Sequence, residues 1–301
     1  MPSLSSGLAH THPQIRPHNN HLLKSSHYPE RFQAVDKRMN KPIVALLTDF
    51  GDVDTYVAEV KATILKETRD AVLVDITHQV YPQNILQGAF LLALAAKTFP
   101  SNTIFVAVID PGVGSERAAL IIETMSGKTF IGPDNGLLYP AASREKIRQV
   151  FRIKSELIPN VSNTFHGRDV FAYVAGLVAA GKDISHLTEP YVLTVQLQLP
   201  KPVWGDGWVD SVVLHVDRFG NAITCIEGGL PSDWLIAEVY VNDEWKTVAK
   251  VGRFYAEVGM GEPILLVGGT GYLELSVNRG NASKTFGIKP GDRISFVKSR
   301  A

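Results

Sequence analysis

Four consecutive residues in "NTFHGRDVFAYV", His166-Gly167-Arg168-Asp169, set a titratable base, a fixed cation and a carboxylate at the mouth of an apolar run. One reading is local: Asp169 caps a helix by accepting its free N–H groups, and the positive helix end favours its charge. That leaves His166 and Arg168 without a task.

Two other stretches carry comparable chemistry. In "VIDPGVGSER", Pro111, Gly112 and Gly114 impose a tight turn that holds Asp110 at a strand end, with Arg117 able to fold back. The pair either closes a loop or keeps Asp110 charged, as a carboxylate orienting a water nucleophile must be. In "LLTDFGDVDTY", Asp49 either accepts hydrogen bonds from ribose hydroxyls, as in dinucleotide-binding folds, or caps a helix beginning near Asp54. Asp52 and Asp54 add enough charge to hold an ammonium group or a metal. Asp134 and Asn135 of "FIGPDNGLL" read as loop builders. Taken as hard oxygen ligands, Asp49, Asp52, Asp110 and Asp134 would instead suit a metal-dependent phosphoesterase. Neither GxGxxG nor GxxxxGK[ST] occurs, nor GxSxG nor HExxH. Hydride transfer, kinase chemistry and acyl transfer therefore lack support.

These residues sit at the ends of short apolar runs. "IVALL", "AVLVDI", "TIFVAVI" and "KTFI" each stop at an acid, amide or Gly/Pro loop, and helix-like segments "YVAEVKATILKE", "NILQGAFLLALAAKTF" and "DVFAYVAGLVAAG" are spaced along the same stretch. That alternation predicts an α/β domain over residues 41–197, a largely parallel sheet flanked by helices. Ligands bind such sheets beyond the carboxyl ends of the strands. From residue 203 to 301 the style changes to strands joined by Gly/Asn/Asp turns with no convincing helix between them. This predicts a smaller all-β domain, barrel or sandwich. "TVQLQLPKPVWGDG" reads as the linker. Residues 1–40, rich in Ser, Pro, Asn and His without periodicity, read as a disordered leader, with Met39 a candidate true start. Its histidines lack the spacing and partners of a metal site.

The 301 residues are 45% hydrophobic and 20% charged, and 30 Lys+Arg balance 30 Asp+Glu. No basic field recommends a nucleic acid or an anionic membrane as partner. "GAFLLALAAKTF" is too short for a membrane span and is broken by Lys97, so it reads as a core helix. Cys225, the single cysteine, is flanked by apolar residues and reads as a small buried hydrophobe. A soluble, cytoplasmic protein is expected.

Taken in order, "LLTDFGDVDTYVAEVKATI", "VDITHQVYPQNILQGAFLL", "VIDPGVGSER", "GPDNGLL", "FHGRD" and "VDRFGNAIT" resemble the S-adenosyl-L-methionine hydroxide adenosyltransferase family, relatives of fluorinating and chlorinating enzymes. The similarity runs from about Pro42 to the C-terminus. It implies an α/β domain followed by a β-rich one, a homotrimer, and substrate held between one subunit's first domain and a neighbour's second. The implied reaction is attack of water or hydroxide on ribose C5′ of S-adenosyl-L-methionine, releasing adenosine and methionine, with no cofactor or metal. The family's Asp–Arg–His set falls on Asp110, Arg117 and His166. Asp49 matches the acid on the ribose hydroxyls, Asp54 and Asp217 the acids near the methionine ammonium, and Phe219 and Asn221 the adenine side. Thr164 and Gly167 stand where halogenating relatives shape a halide pocket, so a halide-using variant is the runner-up. The short "IIETMSGKTFIGPDNG" and the carboxylate of Asp110 favour hydrolysis. Ala58 and Ala62 replace frequent family glycines, Ala118 replaces a second arginine, and "VGGTGYLEL" departs from the usual Asn-Ser turn.

Overall fold

A computed structural model describes residues 41–299; the expected leader lies outside them. The first half alternates strand and helix: β1 (Ile43–Thr48), α1 (Tyr56–Glu67), β2 (Val72–Thr77), α2 (Ile85–Ala96), β3 (Ile104–Val108), β4 (Ala119–Thr124), β5 (Thr129–Pro133), α3 (Tyr139–Arg144), β6 (Ile147–Ile153), α4 (Tyr173–Ala179) and β7 (Thr188–Pro190). They form one sheet in the order β2-β1-β3-β5-β4-β6-β7. The first four are parallel. β4, β6 and β7 extend the sheet antiparallel. β6, "IRQVFRI", mixes polar and apolar residues because it lies near the sheet edge with Arg148 and Gln149 exposed, and the alternation of buried runs did not single it out.

Alternate residues of β1 face opposite layers. Val44 and Leu46 pack with α1 and α4, while Ala45 and Leu47 pack with α2 and α3. Because β2 lies on one side of β1 and β3 on the other, the loops leaving β1 and β3 diverge. Thr48 pairs with Val108 in register, so Asp49 and Asp110 follow at neighbouring strand ends, in the crevice this topology creates.

The second half is a closed barrel of seven strands, with β8 (Val203–Gly205) added to the edge of β9. The ring comprises β9 (Trp208–Val216), β10 (Ala222–Glu227), β11 (Ile236–Val241), β12 (Glu244–Val251), β13 (Pro263–Val267), β14 (Tyr272–Val277) and β15 (Arg293–Lys298). Pairing of β10 with β9 closes it. One short helix, α5 (Ala282–Phe286), interrupts what the sequence suggested was purely β; Asn281 caps it and Gly287 ends it in the left-handed region.

α2 is apolar almost all round because it is covered on both sides. Ala89, Leu92, Ala93 and Ala96 face the sheet, while Phe90 meets Leu214, Ile223, Cys225 and Tyr272 on the outside of the barrel. Cys225 is buried, as its flanks implied. No helix among the described residues is long and apolar enough to cross a membrane. Phe90 is fully buried and stacks edge-on against Tyr272 with centroids 5.2 Å apart. Phe90→Ala is expected to cost ~3–5 kcal/mol, read as a lowered denaturation midpoint; an unchanged midpoint would contradict this packing.

Candidate functional site

A cleft of about 190 Å³ opens at the divergence of the β1 and β3 loops, lined by Asp49, Phe50, Gln83, Asp110, Thr164 and His166 together with Gly167. Behind its lining, Arg117 folds back on Asp110. Nε donates to both carboxylate oxygens at 3.0 Å, and Nη2 donates to Oδ2 in a closer contact. The side chains are only 10% and 5% exposed, so neither charge is served by bulk water. Each depends on the other, because a lone buried charge is strongly destabilising. The guanidinium also lies 5.3 Å from the Phe171 ring centroid.

Arg117 Nη2 is 3.0 Å from His166 Nδ1. A guanidinium only donates, so Nδ1 presents its lone pair and the imidazole carries its proton on Nε2. Burial, then the Arg117 charge, hold His166 below its usual pKa, partly opposed by Asp110 and Asp169. At neutral pH it is an uncharged Nε2–H donor.

Two close approaches assemble this triad. Gly114 has φ +77°, and a Cβ there would lie 2.3 Å from the carbonyl oxygen of Asn163. Glycine therefore lets the Asp110 turn touch the segment leading to His166. On the other side, Asn135 Nδ2 donates to the carbonyl of Ile109 at 2.7 Å, fixing the chain just before Asp110. Asp134 is buried and accepts from Thr194 and Val195, so both residues do build the loop.

Asp49 caps no helix. α1 begins at Tyr56 with Thr55 at its cap. Instead Asp49 Oδ2 accepts the backbone N–H of Gln83 at 2.8 Å. Gln83 has φ +65°, a conformation uncommon for a side chain of this size. Burial raises the Asp49 pKa, opposed by the Gln83 N–H, with the Asp110 charge a further raising influence. Asp169 is not a cap either. It lies inside a π-helical turn, Gly167–Ala172, where it accepts from Ser162 N at 2.9 Å and pairs with Arg168.

Other residues singled out in the sequence stand apart. Asp54 is exposed in the loop before α1. Asp217, Phe219 and Asn221 occupy the β9–β10 turn of the barrel and do not line this cleft. The Asp217 carboxylate is taken up by the N–H groups of Phe219 and Asn221 and by the Asn221 amide, and Phe219 is 74% exposed. Nor do the four proposed metal-ligating acids converge: Asp52 lines a separate groove and Asp134 is committed to its loop. Among the described residues no group of three His, Cys, Asp or Glu side chains is placed to hold a metal. The sequence reading missed Gln83 and the edge-to-face triangle of Phe50, Tyr56 and Phe165, whose centroids lie 5.2–6.1 Å apart.

The family model for the SAM hydroxide adenosyltransferase N-terminal domain matches residues 44–188, and that for the C-terminal domain matches residues 211–295. The chain belongs to the SAM hydroxide adenosyltransferase family. It is 35% identical to the "(R)-S-adenosyl-L-methionine hydrolase" of Methanocaldococcus jannaschii, over 85% of this chain and 95% of that protein. A fluorinase of Actinopolyspora mzabensis is 23% identical over 86% of this chain and 98% of its own length. An uncharacterized conserved protein from Thermotoga maritima superposes with a TM-score of 0.78 at 33% identity, over 84% of this chain and 99% of that one. The N-terminal match spans every residue that lines the cleft.

Two outcomes follow from the geometry. Unfolded, His166 protonates near 6.5; folded, it does so lower. As pH falls through 6.5 the unfolded chain takes up a proton that the folded chain refuses, so this residue's contribution declines down to the folded value and is level above 6.5. Melting curves between about pH 8 and about pH 5 should show a smaller acid loss for His166→Gln than for wild type; equal slopes would refute the assigned environment. Gly114→Ala is expected to cost at least ~1–3 kcal/mol from its backbone conformation. It should also part the Asp110 turn from His166, visible as altered imidazole chemical shifts.

Proposed function

We propose that this chain hydrolyses S-adenosyl-L-methionine to adenosine and L-methionine, with water or hydroxide attacking C5′ of the ribose in the cleft between the β1 and β3 loops. The observation that carries the reading is one guanidinium, Arg117, gripping Asp110 from one side and His166 Nδ1 from the other. The hydrolase name of the M. jannaschii relative supports the choice of substrate.

The chemistry needs a nucleophile more than an acid. A sulfonium expels a neutral thioether, so no group must protonate the leaving sulfur. Water is the weak partner. Asp110, held charged by Arg117, accepts a hydrogen bond from the water and draws off its proton as C5′ is attacked. His166, as an Nε2–H donor, engages one oxygen lone pair and leaves the other directed at carbon. Such proton abstraction contributes typically ~10²–10⁴-fold, and alignment opposite the C5′–S bond supplies much of the rest. Asp49, presented by Gln83, receives the ribose hydroxyls, while Thr164 and Gly167 border the attacking side. No cofactor takes part.

Asp54, Asp217, Phe219 and Asn221 lie outside this cleft in a single chain, and in this reading they complete it in a homotrimer. There a neighbour's β9–β10 turn brings Asp217 to the methionine ammonium and Phe219 and Asn221 to adenine. The setting is cytoplasmic.

Purified protein incubated with S-adenosyl-L-methionine is expected to release adenosine and methionine in equal amounts by chromatography, unaffected by EDTA. Asp110→Asn should fall by ~10²–10⁴-fold. No adenosine above a buffer control, or undiminished activity in Asp110→Ala, would sink the proposal. A 5′-halo-5′-deoxyadenosine formed when halide is added would favour the halide-using alternative that the fluorinase relative brings into view.

A further inference from the structure

Resting on the hydrolytic reading above, we propose that Arg168 is a positioning residue: it clamps the segment bearing His166 to the first turn of α1, and so sets where the imidazole stands. All three of its nitrogens donate. Nε and Nη2 donate to the two oxygens of Asp169 at 2.6 and 3.1 Å, and Nη1 donates to Glu59 Oε2 at 2.7 Å. Both carboxylates are tied further. Asp169 accepts the N–H of Ser162 at 2.9 Å, and Glu59 accepts the Thr55 hydroxyl at 2.6 Å. The guanidinium also covers Phe165, 4.8 Å from its centroid, and that ring packs edge-on against Phe50 and Tyr56. One side chain thereby links the residues on both sides of His166 to the loop that follows Asp49.

The backbone explains why a clamp is needed. His166 immediately precedes the π-helical turn Gly167–Ala172, where the N–H groups of both Arg168 and Asp169 fall on the Phe165 carbonyl. Such turns hold the chain less regularly than an α-helix and concentrate at functional sites. Lysine could not replace the arginine, because a single ammonium cannot serve two carboxylates in a planar fork.

Position and bulk stability are separable here. The Arg168 and Glu59 side chains are 33% and 37% exposed, and ion pairs that wet contribute little to global stability. Glu59→Gln should therefore melt close to wild type, whereas Arg168→Gln, which leaves the 12%-exposed Asp169 carboxylate without its cation, should melt lower while still folding. Arg168→Gln is expected to lower kcat about ten- to a hundredfold, the scale of a small misplacement of a reacting group, with KM little changed. Arg168→Lys should recover only part of that loss. The NMR titration of the His166 imidazole provides a readout without turnover. In Arg168→Gln its midpoint should rise, because the Asp169 charge that favours its protonated form is no longer offset. A folded Arg168→Gln enzyme with wild-type kcat, or an unmoved His166 titration, overturns the clamp. Wild-type protein that makes no adenosine fails the hydrolytic reading instead, and the titration then decides the clamp alone.

Discussion

The site depends on the burial of one ion pair. Asp110 and Arg117 are nearly shut away from solvent, and charges so placed are tolerated only when their geometry is fixed and their remaining hydrogen-bonding capacity is met. The surroundings fix the geometry. β3 ends one residue before Ile109, whose carbonyl is held by Asn135, so Asp110 leaves a fixed strand end. Arg117 uses its spare donor on His166, which makes the histidine's tautomer a consequence of the ion pair. A buried ion pair anchored at both ends is a rigid platform.

A second constraint runs through α2. Its two apolar faces force the barrel onto the sheet, and one buried polar side chain crosses that contact. Gln87 accepts the Tyr81 N–H with its oxygen, leaving its amide nitrogen to donate to His215 Nδ1 at 2.9 Å. His215 must therefore be neutral to accept, in line with its burial-lowered pKa. The same loop, two residues on from Tyr81, turns at Gln83 to present its N–H to Asp49. The helix that seats the barrel thus also seats the segment that holds Asp49.

Much of this was readable from residue order, and the reasons differ by element. The parallel strands announced themselves because both faces are covered, which leaves unbroken apolar runs such as "IVALL" and "TIFVAVI". The pairing of Asp110 with Arg117 was legible because Pro111, Gly112 and Gly114 leave the intervening turn few shapes. His166 was placed beside them by family resemblance; nothing local in "FHGRD" specifies a contact 49 residues away. Asp169 misled because a carboxylate before an apolar run has the appearance of a cap, whereas a π-helical turn moved it off the helix start. Gln83 was invisible, since its contribution is a backbone N–H and depends on φ rather than on residue type.

Backbone conformation also explains why the site is built from loops of opposite character. Gly114 adopts its positive φ without cost and permits contact with Asn163, whereas Gln83 adopts one of +65° against its steric preference. A non-glycine residue in that region costs on the order of 1–3 kcal/mol and persists only where neighbouring contacts over-determine it. Here the contacts are visible. Ile85 N donates to the Gln83 carbonyl, Asn84 N to that of Tyr81, and Gln87 holds the Tyr81 N–H, so the turn is locked before it meets Asp49. The strain is held by α2's first turn, the part of the helix that also faces the barrel through Gln87. A change at the barrel contact that loosened Gln87 would release the Gln83 turn first, and Asp49 would lose its N–H donor while the Asp110–Arg117 pair stayed intact. The Asp49 carboxylate and the Asp110–Arg117 pair therefore rest on different supports within one cleft.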